Sequence, residues 1–242
     1  MKIVAKTDVG MVRESNQDSY TTGELPNGVA WAVVCDGMGG AAGGNVASST
    51  AVKVIAEQIT SSFRPGMSAN SIKNMMVSAI NAANISVYDI SCSNSELYGM
   101  GTTVVCAIVM EHTAYIAHAG DSRAYIVSHG ALTQLTRDHS VVQELVEHGK
   151  ITALEAKRHP NKNIITRAVG VSREILVDFC EQEMKDGDVL LLCTDGLTNF
   201  VESDEMCDLI KDDMFYEFAE RLVDRANKNG GGDNVTVVAV TY

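Results

Sequence analysis

Short turns between strand-like segments constrain the fold of this chain most strongly. The turns Glu111-His112 and His129-Gly130 connect apolar segments directly, and a third hairpin-like turn, Asp186-Gly187-Asp188, follows polar residues and leads into the next apolar segment. Turns this short can join only antiparallel neighbours, so antiparallel sheets are predicted. The predicted strands are Lys2–Thr7, Ala30–Cys35, Thr102–Met110, Ala114–Ala119, Arg123–Ser128, Ala131–Leu135, Ile175–Cys180, Val189–Cys193 and Val235–Thr241.

Three other segments have the 3-4 spacing of apolar residues that is typical of amphipathic helices. Their stripes are Val52, Ile55, Ile59 and Phe63; Ile72, Met75, Met76, Ala79, Ile80, Ala83 and Val87; and Phe215, Phe218, Ala219, Leu222 and Ala226. Helices therefore lie between blocks of antiparallel strands. This order favours an α+β fold with helices layered outside the sheets and argues against a doubly wound βαβ fold.

Residues 136–170 interrupt the strand blocks. The segment is polar, contains Pro160 and has weaker helical patterns at Val141–His148 and Ala153–Arg158. We predict that it is a surface insertion, or flap. No repeat or linker divides the rest of the chain, so residues 1–242 are predicted to form a single domain.

The charge balance excludes several classes of partner. Lys and Arg number 19 against 31 Asp and Glu, a formal net charge of −12, without a basic run. A nucleic-acid groove or a polybasic membrane surface is therefore not expected. No apolar run approaches the length of a membrane span, and residues 1–6 turn polar too early for a signal peptide. The six cysteines include no Cys-x-x-Cys pair, which predicts reduced thiols and a cytoplasmic location.

Four aspartates occupy positions where catalytic groups are common. Asp36 and Asp195 follow apolar strands and precede helical segments, Asp233 precedes the last strand, and Asp18 ends a polar segment near the N-terminus. Carboxylates at the ends of buried strands are costly unless a cation compensates them, and clustered carboxylates select hard ions such as Mg²⁺ or Mn²⁺. The simpler interpretation, a hairpin turn, suits Asp186 but not Asp36 or Asp195.

Two further patterns lie near these aspartates. Residues 37–42 fit a dinucleotide fingerprint, but no strand follows the next helix, and Glu57, the acid at the later spacing, falls inside that helix. We reject this alternative. Arg13 lies five residues before Asp18, and this short spacing suggests a guanidinium fork for a phosphate, although a surface ion pair is the default for an arginine.

Eight motifs together resemble the protein phosphatase 2C family of metal-dependent serine/threonine phosphatases, in its compact bacterial form. They run in family order along essentially the whole chain: Asp8-Val9-Gly10; Arg13-x-x-Asn16-Gln17-Asp18; Asp36-Gly37-Met38-Gly39-Gly40; Gly99-Met100-Gly101-Thr102-Thr103; Gly120-Asp121-Ser122-Arg123; Leu135-Thr136-Arg137-Asp138-His139; Thr194-Asp195-Gly196-Leu197; and Gly232-Asp233-Asn234.

The resemblance implies a four-layer α-β-β-α sandwich, two antiparallel sheets flanked by helix pairs, with two Mn²⁺ or Mg²⁺ ions at one end. By this likeness Asp36 bridges both ions, the Gly37 carbonyl binds the first, and Asp195 and Asp233 bind the second. Asp18 acts through a metal-bound water, Asn234 supports the site, and Arg13 grips the phosphate. A possible third ion is assigned to Asp121, with Ser140 the weaker candidate and a turn ion pair between Asp121 and Arg123 the alternative.

The implied reaction is direct in-line hydrolysis of phosphoserine and phosphothreonine by a water bridging the two metals. The implied partners are phosphorylated substrates of a serine/threonine kinase, and a monomer is expected. Some relatives have a histidine, the proposed general acid, at the position of Met38 or Ala41, and this chain has neither. A metal-bound water is the preferred proton donor, and His139 is a distant alternative. A silent phosphoprotein-binding regulator and a hydrolase of small phosphorylated metabolites are the competing functions.

Overall fold

Strands and helices alternate in blocks, as the sequence predicts. The computed structural model describes residues 1–210 and 214–242, without the side chains of Ala41 and Ala42. The strands are β1 Lys2–Asp8, β2 Asp18–Leu25, β3 Val29–Met38, β4 Gly101–Thr102, β5 Val104–Met110, β6 Thr113–Ala119, β7 Arg123–Ser128, β8 Ala131–Gln134, β9 Asp178–Glu183, β10 Val189–Cys193 and β11 Val235–Thr241. The helices are α1 Gly40–Ser62, α2 Ala69–Ser93, α3 Val141–Glu147, α4 Ala153–Ala156, α5 Asp195–Thr198, α6 Ser203–Ile210 and α7 Phe218–Lys228.

Two antiparallel sheets form the two central layers. One has the order β1-β11-β10-β7-β8, and the other has the order β2-β3-β5-β6-β9 with β4 paired to β3. The residues between the sheets come from alternate positions, such as Ala30, Ala32 and Val34 of β3. Their neighbours Trp31 and Val33 face the helices instead. Burial of both faces explains why these strands read as continuous apolar runs.

The helices cover the outer faces of the two sheets. The apolar stripes of α1 and α2 pack on the sheet that contains β3, and α5, α6 and α7 pack on the sheet that contains β10. Every residue of the two predicted stripes in α1 and α2 is buried. The four-layer α-β-β-α sandwich is therefore confirmed. Among the described residues, no helix combines the length and the apolar character that a bilayer span requires.

The structure differs from the sequence prediction at one turn and three strands. The turn at Asp186-Gly187-Asp188 is not a hairpin, because the strands on either side of it, β9 and β10, belong to different sheets. β2 was not predicted, β9 lies three residues further along than the predicted Ile175–Cys180, and β3 continues to Met38, so Asp36 lies inside a strand instead of after it. The predicted flap lies between β8 and β9. It contains α3 and α4. An isolated β-bridge between Ser140 and Ile165 lies within the flap, and another between Thr102 and Val169 connects the flap to β4.

Candidate active site

The ends of five strands bring the predicted aspartates together at one end of the sandwich. Asp18 begins β2 directly opposite Asp36 of β3. Asp195 follows β10 and Asp233 precedes β11, and these two strands are antiparallel neighbours. Asp121 precedes β7, the other neighbour of β10. Residues that are far apart in sequence therefore meet because antiparallel pairing aligns these strand ends.

A cleft of about 730 Å³ opens over these strand ends. Its lining includes Asp36, Asp121, Asp195 and Asp233, together with Arg13 at its rim. The flap contributes two lining residues, which are Asn163 and Ile165. Asp18 is only 7% exposed and lies outside this lining. The described cleft lining therefore combines five carboxylates, those of the four aspartates and Glu14, with one guanidinium, and the Asp18 carboxylate is buried next to them.

Asp18 is a buried carboxylate with two unlike oxygens. Its Oδ2 accepts hydrogen bonds from Thr194 Oγ1 at 2.9 Å and from Thr236 Oγ1 at 2.7 Å. Its Oδ1 is also buried and has no hydrogen-bond partner among the described residues. Burial raises the pKa of Asp18 to about 7, and the two threonine hydroxyls oppose that rise. An unpartnered carboxylate oxygen in this position is costly unless a cation reaches it.

Asp36 and Asp195 are close enough to influence one another directly. Removal from water raises the pKa of Asp36 well above its ordinary value, and the charges of Asp18 and Asp195 add to this rise. The pKa of Asp195 is raised by burial and by the charge of Asp233. Asp195 Oδ2 accepts from Asn199 Nδ2 at 2.9 Å, whereas its Oδ1 is buried without a partner among the described residues. Burial first, and mutual repulsion second, therefore disfavour the charged carboxylates in the absence of a cation.

The turn ion pair between Asp121 and Arg123 does not form. Arg123 instead donates to both carboxylate oxygens of Asp138, at 2.8 and 3.0 Å from Nε and 2.6 Å from Nη2. Burial and the charge of Asp195 raise the pKa of Asp121 to about 7. Asp121 therefore lies at the cleft near the acidic Asp195, and it lacks the ion pair with Arg123 that the alternative interpretation required.

Arg13 pairs with Asp233, not with Asp18. Its Nε lies 2.8 Å from Asp233 Oδ1, and its Nη2 donates to Asp233 Oδ2 at 2.9 Å. The hydrogen bond and the charge of Asp233 raise the pKa of Arg13. The default interpretation of Arg13, an ion pair, is therefore what the structure shows, and its partner is Asp233. The predicted fork geometry is present, and its current acceptor is a carboxylate of the cluster.

These residues fit a centre of hard divalent cations. Two buried carboxylate oxygens lack partners among the described residues, the pKa values of four aspartates are raised, and Arg13 at the rim is the one guanidinium in the described cleft lining. Oxygen donors of this kind select Mg²⁺ or Mn²⁺. A Cβ at Gly37 would lie 2.1 Å from the Gly44 carbonyl oxygen, so glycine is required where β3 and α1 approach each other.

Threonines beside the acidic motifs were missed at the level of sequence. Thr103 Oγ1 accepts from the Asp36 backbone N at 2.9 Å, and Thr102 Oγ1 donates to the Asp36 carbonyl at 2.8 Å. Thr194 and Thr236 hold Asp18 as described above. The available signal was that Thr194 directly precedes Asp195 and that Thr102 and Thr103 stand in one of the motifs. A threonine has no distinctive charge or spacing, so its contact could not be predicted.

Asn234 and Ser140 have different surroundings. The Asn234 side chain bonds three backbone groups of the N-terminal segment, the carbonyls of Val9 and Ser15 and the amide of Gln17, at 2.8 to 3.0 Å. This arrangement suits the predicted supporting role. The Ser140 hydroxyl instead accepts from the Gln143 amide at the start of α3 and is absent from the cleft lining. Its part in a third metal site stays an untested prediction.

A second group of possible metal ligands lies at the base of the flap. Donor atoms of His118, His139 and Asp178 are all within 4.8 Å of one another. The two imidazoles stack with an interplanar angle of only 5°, however, so their in-plane lone pairs do not converge on one point. Asp178 Oδ1 also accepts from Arg167 at 2.7 Å. We interpret the group as an anchor of the flap.

His139 is poorly placed to protonate a leaving group. It is 3% exposed, its Nδ1 accepts from the Gly120 amide at 3.1 Å, and its Nε2 lies 3.1 Å from Asp178 Oδ2. Replacing His139 with Ala should lower the melting temperature but change kcat on a phosphothreonine peptide by less than about tenfold. A general acid contributes about 10² to 10⁴.

The leaving group separates these two effects of His139→Ala. Loss of a general acid slows release of the serine or threonine alkoxide but spares p-nitrophenyl phosphate, whose leaving group needs no proton. Altered packing of the flap should affect both substrates alike. A hundredfold loss confined to the peptide would make His139 the general acid after all.

Comparisons with known proteins agree with the motifs. A family model described as protein phosphatase 2C matches residues 12–236. The serine/threonine phosphatase stp of Listeria monocytogenes is 38% identical over 97% of this chain and 93% of its own length. The structure of the S. agalactiae serine/threonine phosphatase superposes with a TM-score of 0.93 at 32% identity, covering 100% of this chain and 99% of that one. The catalytic domain of the phosphatase PstP, solved in complex with two manganese ions, gives a TM-score of 0.85 at 33% identity over 98% and 96% of the two chains.

Proposed function

Because the chain belongs to the protein phosphatase 2C family, we propose that it hydrolyses phosphoserine and phosphothreonine in proteins with two bound Mn²⁺ or Mg²⁺ ions. The observation that carries this proposal is the convergence of five aspartates at one end of the sandwich, where two buried carboxylate oxygens lack partners among the described residues. The manganese ions of PstP support the choice of a divalent cation.

The residues divide the work as follows. Asp36 lies opposite Asp18 and interacts with Asp195, so it would be shared by the two ions. The Gly37 carbonyl would help to hold one ion, and Asp195 and Asp233 would hold the other. Bound ions would supply an activated water and neutralise charge on the phosphoryl oxygens. Asp18 would orient water at the edge of the site. Asp121, which has no arginine partner among the described residues, is the residue that would hold a third ion.

Arg13 is proposed to grip the substrate phosphate. Its side chain is 55% exposed at the cleft rim, and its guanidinium already makes a fork with a carboxylate, which is the geometry that a phosphoryl group accepts. When ions occupy the site, Asp233 would bind an ion instead of Arg13, and the Arg13 guanidinium would then be available to the phosphate.

Replacing Arg13 with Ala should raise KM for a phosphothreonine peptide by about tenfold or more, since a hydrogen bond to a charged group is worth about 1.5–3 kcal/mol. Arg13→Lys should recover only part of the loss, because it keeps the charge without the fork. Arg64→Ala is the matched control, since Arg64 bonds the carbonyls of Ser61 and Phe63, outside the cleft lining. Equal KM values for Arg13→Ala and Arg64→Ala would contradict the assignment.

The substrate class is tested by phosphate release from purified protein with Mn²⁺, with and without chelator. Phosphothreonine and phosphoserine peptides should be hydrolysed only with the metal, and far faster than sugar phosphates or nucleotides. Preference for the small molecules would favour the metabolite hydrolase. Absence of turnover with every metal would favour a silent phosphoprotein-binding regulator, although the complete set of aspartates argues against that function.

The substrates are proposed to be products of a serine/threonine kinase, because this is the reaction that makes phosphoserine and phosphothreonine. All six cysteines are unpaired, which supports a reducing compartment such as the cytoplasm. A monomer is expected, and its mass in solution at micromolar concentration would test that.

A further inference from the structure

We propose that Thr194 and Thr236 are positioning residues that fix the Asp18 carboxylate so that its Oδ1 is reserved for the ion centre. This inference rests on the proposed two-ion site. Both hydroxyls donate to the same oxygen, Oδ2, at 2.9 and 2.7 Å, and Oδ1 is left buried and without a partner among the described residues. A carboxylate held by two donors on one oxygen cannot exchange its oxygens without breaking both bonds.

The two threonines are themselves fixed to each other. Thr194 and Thr236 lie where β10 and β11 meet the site, and Thr236 N donates to Thr194 Oγ1 at 3.0 Å. In return, Thr194 N donates to the Thr236 carbonyl at 3.1 Å. Both residues are fully buried. The backbone of one sheet therefore sets the position of a carboxylate that belongs to the other sheet.

A second chain of hydrogen bonds sets the direction of the Thr236 hydroxyl. Because Thr236 gives its proton to Asp18, its oxygen must accept the proton of Thr7 Oγ1, which lies 2.7 Å away. Thr7 Oγ1 in turn accepts from Asn16 Nδ2 at 2.8 Å. Asn16 Oδ1 accepts from the backbone N of Asp18 at 3.1 Å, which closes the ring.

This ring explains the spacing of Asn16 and Asp18 in one motif, because the Asn16 side chain contacts both the Asp18 amide and Thr7. Each hydroxyl in the ring has a defined donor and a defined acceptor, so the proton positions are determined from Asn16 to Asp18. Residues that orient metal ligands in this way usually contribute about 10- to 100-fold to metal affinity. A purely structural role, in which the hydroxyls only satisfy a buried acid, would leave metal affinity unchanged.

The experiment compares Thr194→Val and Thr236→Val with Thr194→Ser and Thr236→Ser. Valine keeps the shape and removes the donor, whereas serine keeps the donor. Titration calorimetry with Mn²⁺ alone should show affinity reduced about 10- to 100-fold in each valine variant and restored to within about threefold by serine. The control is Thr241→Val in the same strand as Thr236, since Thr241 Oγ1 contacts the Asp188 carbonyl, and its Mn²⁺ affinity should match the wild type.

One further variant keeps the inference testable if Thr194→Val or Thr236→Val does not fold. Thr7→Val removes the donor behind Thr236 without touching Asp18 and should weaken Mn²⁺ binding by a smaller factor. Two outcomes would overturn the inference, provided that Asp36→Asn still loses Mn²⁺ binding. One is wild-type Mn²⁺ affinity in the folded valine variants, and the other is a serine variant that binds Mn²⁺ as weakly as the corresponding valine variant. A wild-type protein that binds no Mn²⁺ would instead overturn the proposed function, and this inference with it.

Discussion

Replacing Asp36 with Asn should lower kcat/KM on a phosphothreonine peptide by more than about 1,000-fold. Asp36 lies opposite Asp18 and interacts with Asp195, so it is the carboxylate best placed to contact both ions. Its loss removes more charge stabilisation than a single preorganised donor, which supplies about 10² to 10³. Asp195→Asn should cost a similar amount. The double variant should lose little more than either single one, because the residues act as a unit.

The same Asp36→Asn substitution should increase the thermal stability of the metal-free protein, although it lowers activity. Burial, and then the charges of neighbouring aspartates, raise the pKa of Asp36, so a neutral amide avoids both costs in the metal-free protein. Asp36→Asn should therefore melt higher than the wild type in chelator and gain little from Mn²⁺. Asp186→Asn, in the turn before β10, is the matched control and should retain full activity. Activity within about tenfold of the wild type in Asp36→Asn would contradict its assignment.

Chelation should destabilise the wild-type protein. Ions that bind the folded chain stabilise it by about 2.7 kcal/mol at 100 times Kd. For a chain of this length, that free energy corresponds to a rise of roughly 5–10 °C in melting temperature. Thermal unfolding in excess Mn²⁺ and in excess chelator measures the difference, and equal melting temperatures would count against an ion centre.

The pH dependence of the metal-free protein has a definite sign. Unfolded aspartates lose their protons near pH 4, whereas the pKa values of Asp18 and Asp121 in the folded protein are about 7. Between these limits the folded state binds more protons at the four aspartates with raised pKa values, and the burial-lowered pKa values of His118 and His139 oppose this with two groups. The free energy of unfolding therefore falls as pH rises from about 4 to about 7. Urea denaturation in chelator at pH 5 and pH 7.5 should show this loss, and Mn²⁺ should reduce it. A metal-free protein that is more stable at pH 7.5 than at pH 5 would contradict the raised pKa values.

The sequence predicts two kinds of element well: strands with both faces buried, and helices with one buried apolar stripe. The residues of α2 from Ile72 to Val87 follow the helical period throughout, and all members of the stripe are buried. β2 was missed because its residues from Ser19 to Gly23 are polar and only half-buried at the sheet edge, which gives no hydrophobic pattern. The position of β9 was wrong because the alternation of Ile175, Val177 and Phe179 continues through a segment that packs on the core before pairing begins.

The chemistry of the site was predictable, but its pairings were not. Strand ends and motif order identified Asp36, Asp195 and Asp233 without any contact information. Which carboxylate holds Arg13 depends on how β11 and the N-terminal segment approach each other, and sequence separation does not contain that distance. The same limit applies to Arg123, which reaches past Asp121 to Asp138.

Calorimetric titration of the metal-free protein with Mn²⁺ tests the proposed ion centre most directly. We expect at least two ions bound per wild-type chain and a loss of binding in Asp36→Asn, with Asp186→Asn unchanged. Binding of no Mn²⁺ by the wild type, or equal numbers of ions in the wild type and Asp36→Asn, would contradict the two-ion centre.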